Sequence, residues 1–130
     1  MKIGFACGVF DLYHPGHALM LEECKRNCDF LIVALNKADN LSADKNKPVF
    51  SIDERVMVVS SIKYVNEVIV YNSEAELEQL LRTKKIDVRF LGEDYRNKPI
   101  TAADAGISIH YINRDHGYST SSLIKRIKQR

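Results

Sequence analysis

The stretch KIGFACGVFDLYHPGHALMLEECKRNCDFLIVAL (Lys2 to Leu35) decides the fold. Residues 2–9 are apolar and β-prone and run out at Gly8. Pro15 then opens a helix over 15–28, because Ala18, Leu19, Leu21, Cys24 and Cys28 recur at helical spacing. FLIVAL (Phe30 to Leu35) is a short, continuous apolar run, the pattern of a strand covered on both faces of a parallel sheet. Strand, helix and strand in that order begin a parallel sheet.

The same alternation continues outward. Residues 36–50 (NKADNLSADKNKPVF) lack periodicity and read as a loop, of a length that is usually functional or disordered. SIDE (Ser51 to Glu54) is a capping box, and Ile52, Val56, Val59 and Ile62 follow at helical spacing. EVIVY (Glu67 to Tyr71) reads as a strand, residues 74–84 as a helix with Leu77, Leu80 and Leu81 as its stripe, and VRFLG (Val88 to Gly92) as a fourth strand. A loop or short helix is expected over 93–106, a fifth strand over Ile107 to Ile112, and a closing helix over 119–129. The order predicts a Rossmann-like, doubly wound α/β fold: a five-stranded, mostly parallel sheet with helices on both faces.

Composition narrows the function. The 130 residues suit one compact unit, and 19 Lys+Arg against 17 Asp+Glu leave a net charge of +2. Nothing in that balance favours nucleic acid as a partner, so any anion site must arise from local arrangement. KRIKQR (Lys125 to Arg130) is basic, but cations suit a helix C-terminus and no aromatic residue is interleaved. Cys7, Cys24 and Cys28 are odd in number and contain no CxxC pair, so they are expected to be small buried residues of a reducing compartment. With no segment approaching a membrane span and no signal-peptide cleavage site at the N-terminus, a cytoplasmic protein without a membrane partner is expected.

Two helix starts concentrate the chemistry. Ligands of open α/β sheets bind at the carboxyl ends of strands. The first such end here is GVFDLYHPGH (Gly8 to His17). Gly8 and Gly16 allow close backbone approach, and the helix opened by Pro15 points free N–H groups at an anion. His14 and His17 are three apart, so one helical turn can aim both at one point. Asp11 could face a metal ion or a ribose; a zinc site is disfavoured because no HEXXH spacing or ligand cluster is present. The second start is NRDHGYSTSSLIKRI (Asn113 to Ile127), where Ser119, Thr120, Ser121 and Ser122 exceed what one cap needs and Arg114 and Gly117 stand just ahead.

These segments resemble a known family. GVFDLYHPGH matches the GxFDxxHxGH signature of the nucleotidyltransferases that include the cytidylyltransferases and phosphopantetheine adenylyltransferase. RDHGYSTS (Arg114 to Ser121) aligns with the RTxGISTT-like motif of cytidylyltransferases at Arg114, Gly117, Ser119 and Thr120, and departs at Asp115, Tyr118 and Ser121. KNKPVFSIDER (Lys45 to Arg55) is similar to the lysine-bearing loop of that family, IKYVNEV (Ile62 to Val68) to its IRYVDEV-like segment, and GEDYRNKP (Gly92 to Pro99) to its GxDW or GxDY segment.

The resemblance implies one nucleotidyltransferase domain over 1–130, closest to the glycerol-3-phosphate cytidylyltransferases, that moves CMP from CTP to a small alcohol phosphate and releases pyrophosphate. The alternative it implies is an adenylyltransferase using ATP and a sugar phosphate, since heptose-phosphate enzymes carry a similar GCSTT-like stretch. It assigns catalysis to His14, His17, Lys47 and Arg114, with Lys45 close by. It assigns nucleotide binding to Gly8, Val9, Phe10, Asp11, Gly16, Asp94, Gly117, Tyr118, Ser119 and Thr120. It assigns the acceptor phosphate to Arg55 and Lys63, and Mg²⁺ to the phosphates with help from Asp11. A homodimer is also implied. A nucleotide-binding module without catalysis would carry a damaged HxGH motif, whereas both histidines are present.

Overall fold

The computed structural model describes residues 1–38 and 47–130. The elements run β1 (Ile3–Gly8), α1 (Pro15–Arg26), β2 (Phe30–Asn36), α2 (Ile52–Ser60), β3 (Glu67–Tyr71), α3 (Glu74–Thr83), β4 (Val88–Gly92), β5 (Ser108–Ile112) and α4 (Thr120–Lys128), with one 3₁₀ turn at Glu93–Tyr95. The sheet order is β3-β2-β1-β4-β5. Every described strand pair is parallel, so the sheet is wholly rather than mostly parallel.

The sheet is buried as its sequence demands. Leu31 to Leu35 are all buried in β2, with alternate residues facing opposite layers. Leu31, Val33 and Leu35 pack with Leu21 and Cys24 of α1 and Val59 of α2. Ile32 and Ala34 pack with Leu77 and Leu81 of α3. Cys24 is fully buried and Cys28 donates its thiol to the Cys24 carbonyl at 3.3 Å, so these cysteines serve packing. Burial pushes both thiols up, away from the reactive thiolate.

Helix boundaries follow their caps. Ser51 Oγ accepts from the Glu54 N–H at 3.1 Å and Glu54 Oε1 accepts from the Ser51 N–H at 3.0 Å, the reciprocal pair read in SIDE. α1 stops at Arg26, two residues short of the expected end. The Asn27 side-chain amide donates to the Glu23 carbonyl there, the Cys28 N–H reaches the Lys25 carbonyl at 3.5 Å, and the N–H groups of Asp29 and Phe30 turn to the Lys2 carbonyl as β2 begins.

The strand order reverses at β1, whose neighbours are β2 on one side and β4 on the other. The carboxyl end of β1 is therefore the crevice in which an open α/β sheet takes its ligand. Gly8 to His17 begin there.

Candidate active site

The turn leaving β1 is held in a costly shape. Phe10 and Leu12 adopt φ of 54° and 49°, a region that costs a residue with a Cβ about 1–2 kcal/mol each. Two anchors hold it. Phe10 is buried, with its ring 5.2 Å from the His17 ring. Asp11 is 8% exposed, and its two carboxylate oxygens accept from the N–H groups of Val49 and Phe50 at 2.8 and 2.9 Å.

His14 is the N-cap of α1. Its Nδ1 accepts from the Gly16 N–H at 3.0 Å, and its own N–H donates to His17 Nδ1 at 3.2 Å. Both rings thus offer Nδ1 to the backbone, which places the proton of each neutral imidazole on Nε2. The rings lie 3.9 Å apart between centroids, with Tyr13 stacked on His17 at 5.5 Å. Burial is the main force holding both rings neutral. It pushes His17 down to about 4, assisted by His14 and Arg114 and opposed by Asp11. His14 is lowered by burial, then by His116 and Arg114. The pair presents two Nε2–H donors without formal charge.

Gly16 is required by space. A Cβ there would come within 2.8 Å of the His14 ring and 2.9 Å of Tyr118 Cβ. That second contact shows how closely the C-terminal motif packs on the first. Ser119 caps α4 by a reciprocal pair with Ser122, so two of the four hydroxyl residues serve the cap. Thr120 joins the motifs: its hydroxyl lies 3.2 Å from the Asp11 carbonyl and 3.4 Å from His14 Nε2. Gly117 has φ +78°, the left-handed turn that brings α4 into this position.

Arg114 reaches toward the end of β4, with Nη1 3.7 Å from Asp94 Oδ1. Both side chains are half exposed, so the pair is weak and exchangeable for a stronger anion. Lys47 is exposed and lies two residues before Val49, which Asp11 holds, so its backbone borders the same turn. Lys45 lies outside the described residues. Val9 and Gly8 complete the strand end; the Val9 carbonyl is taken by Arg55 at 3.0 Å.

Three sequence-assigned residues stand elsewhere or are otherwise engaged. Arg55 does not face an acceptor phosphate. It is 2% exposed and donates to the carbonyls of Phe50, Val9, Asn36 and Lys37 at 2.7–3.2 Å, tying the ends of β1 and β2 to the start of α2. Lys63 stands on the α2–β3 connection at the amino edge of the sheet, where the neighbouring Asn66 N–H donates to the Leu31 carbonyl. In a parallel sheet that edge is opposite the carboxyl ends that carry His14. Asp11 is committed to the Val49 and Phe50 N–H groups, and among the described residues no group of three His, Cys, Asp or Glu converges as a metal site.

The sequence reading passed over one neighbour. His116 lies in the loop between Arg114 and Tyr118, and its Nδ1 accepts from the Tyr118 N–H at 2.9 Å. The i to i+2 relation repeats that of His14 and Gly16, but only coordinates show that the two loops meet. Two surface hollows lie away from this cluster, one on α4 beside Leu123 and Arg126 and one near Val70 and Leu80.

Comparisons with known proteins identify the family. The Cytidylyltransferase-like family matches residues 5–126. The chain belongs to that family. Similar relatives include the bifunctional protein HldE of Helicobacter pylori, 34% identical over 130 residues, with 98% of this chain and 28% of the relative covered. HldE of Gluconacetobacter diazotrophicus is 35% identical over 134 residues, again with 98% and 28% covered. The chain therefore spans about 28% of the length of these curated relatives. Among solved structures, the lipopolysaccharide core biosynthesis protein of Thermoplasma volcanium matches with a TM-score of 0.68 and 26% identity, covering 88% of this chain and 96% of that one. Within this cytidylyltransferase-like chain, no helix among the described residues is long and apolar enough to cross a membrane.

Proposed function

We propose that this chain is a nucleotidyltransferase that moves AMP from ATP to the phosphate of a sugar, releasing pyrophosphate. The observation that carries the chemistry is the meeting of two helix N-termini at the carboxyl end of β1, with Thr120 3.4 Å from His14 Nε2. Two such termini, two neutral Nε2–H donors and Arg114 suit a triphosphate. The similarity to HldE proteins and to a lipopolysaccharide core biosynthesis protein supports a sugar phosphate over an alcohol phosphate.

An oxygen of the acceptor phosphate attacks the α-phosphorus, a new P–O–P bond forms, and the bond from the α-phosphorus to the β-phosphate oxygen breaks. The nucleophile is already an oxyanion, so no general base is needed. What the protein must supply is position and donors for charge gathering on the equatorial and leaving oxygens. His14 and His17 serve the α-phosphate through Nε2–H. Arg114 exchanges Asp94 for phosphate, Lys47 approaches from the other side, and the start of α4 at Ser119 and Thr120 takes the β- and γ-phosphates. Mg²⁺ belongs to this reading as part of the metal–triphosphate substrate, which keeps much of its water and needs few protein ligands.

A second reading keeps CTP and a glycerol 3-phosphate-like acceptor. The ungapped match of Arg114, Gly117, Ser119 and Thr120 to the cytidylyltransferase motif favours it. Pyrophosphate release with ATP and CTP, each against sugar phosphates and polyol phosphates, separates the two. Adenylyl transfer predicts kcat/KM at least about tenfold higher for ATP with a sugar phosphate; the reverse preference, CTP with a polyol phosphate, establishes the second reading. The homodimer expected from the family resemblance is tested by light scattering of the purified chain.

A further inference from the structure

We propose that His116 is a third imidazole of the site, contacting the β,γ-pyrophosphate portion of the nucleoside triphosphate through Nε2–H. The inference rests on the nucleotidyltransferase reading and extends it to a position where the family motif has no fixed residue. The His116 Nδ1 accepts from the Tyr118 N–H at 2.9 Å across Gly117, whose φ of +78° makes the tight turn. As at His14, that bond puts the proton of the neutral ring on Nε2. Among the described residues no hydrogen-bond partner takes that Nε2.

The ring is held in place. It packs against Tyr118 with 5.5 Å between centroids, and Tyr118 Cβ in turn borders Gly16 between the histidines of the first motif. His116 is half-buried and near enough to His14 to help hold that ring neutral. It stands three residues before the Ser119 cap of α4, the helix start proposed above for the β- and γ-phosphates. A hydrogen bond from Nε2–H to a non-bridging oxygen of that portion persists as the Pα–O bond breaks and charge passes to pyrophosphate. The proton stays on nitrogen.

Two variants separate the donor from the turn. Asparagine can still accept the Tyr118 N–H through Oδ1 but lacks the distal N–H. Glutamine places an N–H near the Nε2 position but loses the local acceptor. Calorimetric titration with inorganic pyrophosphate, which needs no turnover, is expected to show H116N binding at least tenfold more weakly than the wild type and H116Q recovering most of the loss. AMP and CMP should bind both variants as they bind the wild type. The proposal is overturned if the wild type does not bind pyrophosphate, if H116N loses less than tenfold, if H116Q is the weaker variant, or if the monophosphates weaken equally. Failure of the nucleotidyltransferase reading looks different: no pyrophosphate release by the wild type with any triphosphate and acceptor.

Discussion

His17 carries a stability signature of its own. Its pKa in the folded protein is about 4 against 6.5 for a free imidazole. A depressed pKa means the unfolded chain binds the proton first as pH falls. The stabilisation is therefore complete above pH 6.5 and is lost as pH drops toward 4. With the ring partly screened by solvent, this amounts to about 2 kcal/mol. Urea midpoints should fall over that interval in the wild type and fall less in H17Q. The imidazole proton resonances of His17 should titrate near 4; titration near 6.5 would contradict the buried, Nδ1-bonded ring. In catalysis, H17A should lower kcat about a hundredfold while nucleotide affinity changes little, because its contact tightens in the transition state. Near-normal turnover would remove His17 from the mechanism.

Arg55 and Lys63 show what a linear motif hides. Both are cations inside segments resembling the family's, and both read as phosphate ligands. The partners of Arg55 include carbonyls 46 and 19 residues away, so its structural use is visible only after folding. R55M should cost about 3 kcal/mol or more in urea denaturation, because four carbonyls lose their donor. K63A should leave both stability and kcat/KM within about twofold of wild type. If R55M folds normally yet loses only acceptor affinity, the ligand reading of Arg55 was right after all.

At the scale of elements, the boundaries were legible because they are local. SIDE caps α2 as read, EVIVY and VRFLG are β3 and β4, and the FLIVAL run lies within the interior strand β2. The α1 end was not legible, since Asn27 closes the helix by a side-chain bond that periodicity does not reveal. Asp11 was harder still, because its two partners are 38 and 39 residues downstream. Its structural use makes a prediction: Asp11 acts on catalysis by positioning the segment that carries Lys47. D11A and K47A should each reduce kcat/KM, and the double variant should be little worse than the poorer single one. Full additivity would mean that Asp11 has an independent role at the substrate.

For the whole molecule, the net charge of +2 conceals an uneven distribution. Arg55 and Arg89 spend guanidinium donors on carbonyls, Arg89 to Thr101 at 2.6 Å, and do not belong to any phosphate-binding field. Of the four cations assigned to phosphate, Lys47 and Arg114 remain in the proposed mechanism, which otherwise relies on neutral imidazoles and helix N–H groups. Such contacts act at short range and screen less than a surface field. The family and the sheet were readable from the order of segments; the choice of base and acceptor was not, because nothing in the residue order shows which backbone groups face them.

The central claim, that the acceptor phosphate attacks the α-phosphorus of a nucleoside triphosphate at this site, is tested most directly by ³¹P NMR of the wild type with ATP and a sugar phosphate labelled with ¹⁸O on its phosphate. The account predicts a nucleoside diphosphate sugar carrying the label, with unlabelled pyrophosphate released in equal amount and both formed about a hundredfold more slowly by H17A. Orthophosphate as the released product, or label in the pyrophosphate, would contradict it.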